Sequence, residues 1–372
     1  MNENNWKGIY GQDSVKSLLD SLINSDKIPH ALLFKGNDGV GKEFSAIRFA
    51  QALNAKNTSP DSTGNINKII QNLSEPYLKY IFPLPRGKNE TETSSPMEKL
   101  SREDNELVLE ELKEKIRNPY YRLKILKANQ IKISSIRDIK KFLSMDYSDV
   151  RYRFVLISDA HLMNEESQNA LLKNLEEPPE GVIFILTTPF PERLRETIRS
   201  RCWLISFQPL AVNDIKNILI TYFNIEESSA RSVSPFSNGS VSEAVNLLQH
   251  DMEMLKEKTI LILRYSLGRK FHSALEEFNS VVAGQGSDIY KILIVTIISW
   301  FNDLQRFRSG LNDFFFEDYK ETFQKFDLRF SDVKLNEIVY KLDRFASLIK
   351  QNINLSTLTL NIIAELSLLT QR

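Results

Sequence analysis

A glycine-rich segment near the N-terminus could hold phosphate groups. Residues Gly36-Asn37-Asp38-Gly39-Val40-Gly41-Lys42 follow the pattern G-x-x-x-x-G-K, in which backbone N–H groups and the lysine surround the phosphates of a nucleotide. The next position normally carries Ser or Thr, whose hydroxyl binds the accompanying Mg²⁺, but here it is Glu43. We therefore expect a phosphate-binding loop (P-loop) that has lost part of its metal site. Its candidate phosphate ligands are Gly36, Gly39, Gly41 and Lys42.

Two short polar segments follow apolar runs and could complete a nucleotide site. In active P-loop ATPases an Asp at a strand end helps to hold Mg²⁺. Here the run 154–157 is followed by Ser158-Asp159-Ala160-His161, so a serine takes the first acidic position. His161 is interpreted as a surface or helix-start residue. The hydroxyls of Thr187 and Thr188 could sense a γ-phosphate or simply make hydrogen bonds at a strand end.

The apolar pattern predicts the elements that position these residues. Buried strands are predicted where uninterrupted apolar runs occur, at 31–34, 154–157 and 182–186. Helices are predicted where apolar residues recur at helical spacing, at 15–23, 44–53, 131–143 and 165–177. Uninterrupted apolar strands separated by helices are typical of a parallel sheet covered on both faces. The predicted fold class is therefore α/β.

The rest of the chain departs from this alternation. Residues 55–128 are interpreted as an insertion beside the first domain, with loops at 57–64 and 86–96 and a charged helix at 101–117. A charged run of this kind is usually a solvated face, so we assign it no function. After Leu210 no strand is predicted, and the pattern is helical to the C-terminus.

Composition narrows the class of protein. The 372 residues contain 48 Lys+Arg and 48 Asp+Glu, so a strongly basic nucleic-acid coat is excluded, although local basic patches are not. The single cysteine, Cys202, excludes internal disulfides and an all-cysteine zinc site. The N-terminus lacks the features of a signal peptide, and the apolar run 292–301 is about half the ~20 residues that a membrane span needs. We expect a cytoplasmic protein of two or three domains with no membrane partner.

Three motifs together resemble a known family. They are Asn169–Pro179, which contains Leu-Glu-Glu-Pro-Pro, then Phe184–Thr188, and Thr197–Cys202, which ends in Ser-Arg-Cys. The chain resembles the clamp-loader branch of the AAA+ ATPases, and within it the delta-prime subunits of bacterial DNA polymerase III. Gly11-Gln12 and the run 28–34 match the same family, as do Asn352 and Asn354 in an N-x-N pattern.

The resemblance implies a molecule of three parts. These are a RecA-like AAA+ domain at 1–208 containing the 55–128 insertion, a small helical lid at 209–250, and an all-α collar at 251–372. The implied function is a non-hydrolysing stator of the replicative clamp loader, in which Arg201 acts as an arginine finger at the ATP site of a neighbouring motor. The implied partners are the gamma/tau motors and the delta subunit, with primed DNA inside the assembly and the sliding clamp contacted indirectly.

Several departures from the motor pattern agree with a stator. Besides Glu43 and Ser158, the lid carries Gly239-Ser240-Val241-Ser242, where motors place an arginine in the last position. Many relatives also carry a four-cysteine zinc module after the P-loop helix, but no cysteine occurs there in this chain. We therefore expect no metal site and no required cofactor. Whether ATP or ADP still occupies the loop is left open.

A basic helix could contact DNA inside the assembly. Related loaders follow the template backbone with helix N-termini, and the corresponding positions here are Ser134, Ser135, Arg137, Lys140 and Lys141. Such backbone contacts depend on salt and ignore base sequence. An exposed basic helix face without DNA explains these residues equally well.

Two other functions remain open on the sequence. An active motor of the gamma/tau type is supported by the complete Gly36–Lys42 loop and opposed by Glu43, Ser158 and Ser242. A protein-interaction scaffold of the AAA+ class is the third possibility. Polymerase activity would be associated with this chain only through a holoenzyme, because nothing in the sequence resembles a polymerase active site.

Overall fold

The computed structural model describes residues 3–25, 27–56, 60–88, 94–145, 149–312, 314–349 and 353–370. The chain divides into two compact units. The first comprises Met1–Glu226 and Asn238–Glu243, and the second comprises Glu227–Ser237 and Ala244–Arg372. The finer division into AAA+ domain, lid and collar stays a prediction.

The first unit alternates strands and helices. Its elements in chain order are α1 (Asp13–Ser25), β1 (Ala31–Lys35), α2 (Lys42–Ala55), α3 (Pro60–Gln71), β2 (Leu78–Ile81), α4 (Arg102–Arg117), α5 (Ile133–Ser144), β3 (Arg153–Ile157), α6 (Glu165–Glu176), β4 (Val182–Thr188), α7 (Glu196–Arg199), β5 (Trp203–Ser206) and α8 (Val212–Phe223).

The five strands found in the described residues form one parallel sheet in the order β2-β3-β4-β1-β5. The central strand β4 is buried along its whole length, since helices cover both faces of the sheet. Lys35 pairs with Thr188, and Ile157 pairs with Leu186, so the carboxyl ends of β1, β3 and β4 meet at one edge. The predicted RecA-like α/β fold with a parallel sheet is confirmed. The P-loop lies at this edge, because it directly follows β1, which pairs with β4.

The segment between α2 and α5 contains more regular structure than the sequence indicated. The loop predicted at 57–64 is wrong for residues 60–64, which begin α3, while 57–59 lie outside the described residues. Pro60 favours a helix start because its φ is already fixed, and Ile66 and Ile70, one turn apart, are both buried. Strand β2 was not predicted, because only Leu78 and Ile81 of its four residues are buried and the pattern is too short to recognise.

Three other boundaries test the predicted pattern. Helix α5 begins at Ile133 rather than 131, because Ile131 pairs with Met163 in an isolated parallel bridge. Helix α6 ends at Glu176, just before the two prolines, and the Asn164 side chain caps its first turn by accepting a hydrogen bond from the Ser167 N–H. The predicted loop at 86–96 contains no helix or strand in its described parts, 86–88 and 94–96.

The second unit is helical throughout its described residues. Its elements are α9 (Glu227–Val233), the end of α10 (Val241–Leu247), α11 (Met252–Leu267), α12 (Phe271–Val282), α13 (Ser287–Arg308), α14 (Lys320–Phe330), α15 (Leu335–Leu348) and α16 (Leu355–Leu368). The apolar run 292–301 is buried within α13. Within the described residues, none of the helices has both the length and the apolar character for a membrane crossing. Asn354 caps α16, while Asn352 lies outside the described residues.

Candidate functional site: a P-loop held by internal ion pairs

The P-loop joins β1 to α2 with glycines at the positions where the backbone demands them. Gly39 has φ 73° and Gly41 has φ 94°, a left-handed conformation that other residues adopt only with strain. A Cβ atom on Gly39 would lie 2.5 Å from the backbone nitrogen of Ser242. The Ser240 hydroxyl also donates a hydrogen bond to the Asp38 carbonyl at 2.7 Å. Residues 240–242 therefore pack directly on the loop.

Lys42 turns back onto the loop that it follows. Its ammonium donates to the carbonyl oxygens of Gly36 and Asn37 at 2.7 and 2.6 Å. Burial of the side chain lowers the pKa of Lys42, although the nearby Asp38 carboxylate acts in the opposite direction. The predicted phosphate ligands Gly36, Gly39, Gly41 and Lys42 lie together in this loop, but the lysine is already engaged by backbone carbonyls.

Glu43, the residue in place of the metal-binding hydroxyl, is surrounded by donors from its own chain. Its Oε2 lies 2.6 Å from the Lys115 ammonium and accepts a hydrogen bond from the Tyr80 hydroxyl at 3.3 Å. Its Oε1 accepts a hydrogen bond from Ser158. Burial alone would raise the pKa of Glu43, but attraction to Lys115 and these hydrogen bonds outweigh burial and lower it. Glu43 is therefore a buried carboxylate neutralised from within the chain.

Lys115 comes from the charged helix α4, to which no function was assigned. The interpretation of this run as a solvated face is wrong at this position, because the Lys115 side chain is only 5% exposed. Besides Glu43, its ammonium donates to the carbonyl oxygens of Pro119 and Tyr121 at 3.0 and 2.7 Å. One sequence signal was available: Val108, seven residues earlier, lies on the same helix face and is also buried.

A second cluster of charges lies beside the first. Arg122 pairs with the Asp38 carboxylate and also approaches Asp159, with 3.6 Å between Nη2 and Oδ2. Burial raises the pKa of Asp159 to about 6, although Arg122 acts in the opposite direction. Both clusters line a cavity of about 160 Å³ at the carboxyl edge of the sheet. Among the residues that line it, the cations Lys42, Lys115 and Arg122 are matched by the carboxylates of Asp38, Glu43 and Asp159.

The strand-end threonines have distinct environments. Thr187 lines the cavity, whereas the Thr188 hydroxyl lies 3.2 Å from Nδ1 of His161 and accepts a hydrogen bond from the Phe190 N–H at 2.9 Å. Burial lowers the pKa of His161 to about 4, so the ring is neutral near pH 7. The hydroxyl of Thr188 is therefore used at the strand end, and His161 is half-buried in the short 3₁₀ helix Ala160–Leu162, which agrees with the helix-start interpretation.

Arg201 lies apart from the P-loop cluster. It follows α7 and precedes β5, and 36% of its side chain is exposed. Its guanidinium donates to the Thr197 carbonyl at 2.8 Å and pairs with Glu176 at 3.0 Å. Neither Thr197 nor Glu176 belongs to the P-loop.

The candidate DNA-contacting residues divide between the two faces of α5. Arg137, Lys140 and Lys141 are exposed, whereas Ser134 and Ser135 are buried in the first turn. The basic side chains therefore form an exposed face, whereas the two serine side chains do not point into solvent. Within the described residues, no group of three or more His, Cys, Asp and Glu side chains could hold a metal ion.

Comparisons with known proteins identify relatives in DNA replication. DNA polymerase III subunit gamma of Buchnera aphidicola subsp. Schizaphis graminum is 29% identical over 256 residues, which are 68% of this chain and 59% of that protein. Subunit tau of Bacillus subtilis is 24% identical over 327 residues, 82% of this chain and 50% of that protein. Subunit delta' of B. subtilis is 27% identical over 264 residues, 70% of this chain and 67% of that protein. The chain therefore spans only half to three fifths of these two gamma and tau proteins.

A solved structure and a family model complete the comparison. The structure of a DNA polymerase III, gamma subunit-related protein from Thermotoga maritima aligns with 95% of this chain and 99% of its own chain. The sequence identity is 16% and the TM-score is 0.43. The model of the family described as DNA polymerase III, delta subunit, matches residues 11–211 of the 372. Since this match includes more than half of the chain, the chain belongs to the DNA polymerase III, delta subunit family.

Proposed function

We propose that this chain is a non-hydrolysing stator of a bacterial clamp loader, of the delta-prime type, which supplies Arg201 in trans to a neighbouring motor. The observation that carries the proposal is the Glu43–Lys115 pair. A magnesium nucleotide needs a hydroxyl after the P-loop lysine and free carboxylate oxygens at the strand end. Here Glu43 binds Lys115, Tyr80 and Ser158 instead. These residues do not fit a catalytic magnesium nucleotide.

The balance of charge in the cavity supports the same conclusion. A nucleotide triphosphate carries several negative charges, which active sites offset with cations and Mg²⁺. In this cavity Lys115 is committed to Glu43 and Arg122 is committed to Asp38 and Asp159. Binding a triphosphate would require these pairs to separate inside a partly dry site, where breaking an ion pair is costly. We propose that the loop needs no cofactor and binds ATP or ADP weakly at most.

Arg201 has the properties that a group acting in trans requires. In ATP hydrolysis the water oxygen bonds to the γ-phosphorus while the bond to the β-phosphate oxygen breaks, and ADP and phosphate leave. A guanidinium from a neighbour stabilises the charge of that transition state, an effect of ~10³–10⁵ in rate. Arg201 is partly exposed and lies apart from the chain's own P-loop, and its bonds to Glu176 and Thr197 occupy two of the five guanidinium N–H groups, which leaves others for a neighbour's site.

The proposed partners follow from the family and its relatives. Relatives named gamma, tau and delta' share this chain's sequence pattern, and we propose gamma/tau motors and a delta subunit as its neighbours in a hetero-oligomer. Primed DNA would lie inside the assembly, with the sliding clamp contacted indirectly. The exposed basic residues of α5 are the proposed backbone contacts to DNA.

One observation favours an active motor instead. The glycine loop keeps its full Gly36–Lys42 pattern, and several relatives are named gamma or tau. Binding of a fluorescent ATP analogue to the purified chain, with and without Mg²⁺, separates the two functions. A stator shows no binding, or weak binding that Mg²⁺ does not strengthen. Tight, Mg²⁺-strengthened binding and sustained hydrolysis would establish the motor.

The decisive experiment for the stator uses the assembled loader. Arg201→Ala should lower ATP turnover by the adjacent motor by ~10³-fold or more if this finger acts as others do. Arg199→Ala is the matched control, because this exposed arginine lies on the same short segment two residues away. Turnover that is equal in the Arg201→Ala and wild-type assemblies would refute the proposal.

A further inference from the structure

The guanidinium of Arg201 has anchors on two separate helices. Nη1 donates to the carbonyl oxygen of Thr197 in α7 at 2.8 Å, and Nη2 lies 3.0 Å from Oε1 of Glu176 at the end of α6. An arginine has its donors in a rigid planar fork, so two anchors fix the plane of the group. The remaining N–H donors of the fork are left for an acceptor outside the chain.

Both anchors are attached to the core of the first unit. Leu175, next to Glu176, is 1% exposed, and Ile198, next to Thr197, is fully buried. The two residues belong to the same hydrophobic cluster. Pro178 and Pro179 end α6 directly after this point and keep Glu176 at the helix terminus. The backbone positions of both anchors are therefore fixed by the core of the unit before any neighbour arrives.

We propose that Glu176 is a positioning residue for Arg201 and pre-orients the finger toward the neighbour's nucleotide. The inference rests on the proposed function and deepens it. A free arginine side chain has many rotamers and loses that freedom when it binds a phosphate. A guanidinium that is already oriented loses less rotamer freedom when it binds. This saving stabilises the transition state, because the finger acts there.

The ion pair is suited to orientation rather than to stability. The Glu176 side chain is 49% exposed, and such exposed pairs contribute little to folding. Its loss should therefore change the rate of the neighbouring motor and leave folding and assembly intact. Glu177 provides a matched control, since this adjacent carboxylate is also exposed and makes no ion pair among the described residues.

The test measures kcat and KM for ATP in the reconstituted loader with primed DNA. Glu176→Ala should lower kcat by about two- to fivefold, the range for an exposed ion pair, with KM unchanged. Glu176→Gln should restore most of the rate, because the amide oxygen accepts the same hydrogen bond from Arg201. Glu177→Ala should behave as wild type.

A double-mutant cycle separates positioning from a structural role. In an Arg201→Ala background, Glu176→Ala should cause no further loss, since it acts only through the missing guanidinium. An equal loss in both backgrounds, or an unchanged or raised kcat in the single variant, would overturn the inference while leaving the finger itself intact. If Arg201→Ala alone has no effect, the proposed stator function fails first.

Discussion

Removal of the Lys115 ammonium should destabilise the P-loop of this protein. Lys115→Met keeps the length and apolar stem of the side chain but leaves the Glu43 carboxylate, 18% exposed, without its cation. Removing one partner of a buried ion pair costs about 3–5 kcal/mol of unfolding free energy. Since Ser158 and Tyr80 still donate hydrogen bonds to Glu43, we expect a loss of about 3 kcal/mol, the lower end of that range.

The pH dependence of this loss follows from the pKa of Glu43. In the wild type, Lys115 lowers the folded-state pKa below the ordinary 4.5, so the contribution is present above that pH and is lost as pH falls through the folded-state value. In Lys115→Met, burial raises the pKa of Glu43 with less opposition, so we expect a folded-state pKa higher than that of the wild type. The loss of unfolding free energy in Lys115→Met should therefore be complete at neutral pH and become smaller as Glu43 is protonated in acid.

Hydrogen exchange of the α2 amides is the suitable assay, because it reports the opening free energy of this helix without requiring two-state unfolding of both units. Lys113→Met is the control, since Lys113 lies in α4 like Lys115 but is exposed. This substitution should change the unfolding free energy by less than about 0.5 kcal/mol. Combining Lys115→Met with Glu43→Gln should recover most of the loss, because the carboxylate that lost its cation is then replaced by a neutral amide. If Lys115→Met protects α2 as well as Lys113→Met does, the central role of the ion pair is refuted.

Other perturbations test the remaining parts of the site. Burial raises the pKa of Asp159 to about 6, so ionisation of this carboxyl destabilises the folded state at pH values above the pKa of the unfolded state. Asp159→Asn should therefore raise the unfolding temperature at pH 8, and this gain should disappear near pH 4. Gly39→Ala should cost at least about 1–2 kcal/mol in urea unfolding, because alanine is strained at φ 73° and its Cβ would meet Ser242; a neutral effect would contradict the close packing of residues 240–242 on the loop. Replacing Lys140 and Lys141 with alanine should make DNA binding by the assembled loader less dependent on salt, with the slope falling by about one unit for each phosphate that these lysines neutralise, in a filter or fluorescence titration. An unchanged slope would assign this helix face to solvent.

The sequence alone was sufficient for the features that depend on local pattern. The apolar runs of β1, β3 and β4 and the glycines of the P-loop each require only neighbouring residues to be recognised, because strand burial and left-handed φ leave direct marks on residue type. The substitution of Glu43 for a hydroxyl residue was visible in the same way. These features determined the α/β class and the expectation of an altered metal site.

Only the tertiary structure decided what compensates for Glu43. Lys115 lies 72 residues further along the chain, in a helix whose charged composition resembles any solvated surface, and Ser158 follows a different strand. Ion pairs between such distant residues arise from packing of the chain, since neither residue type nor spacing encodes which cation a buried carboxylate will meet. The pairing of Arg201 with Glu176 has the same origin: two helix ends are brought together by a shared core, although both residues already belonged to recognisable motifs.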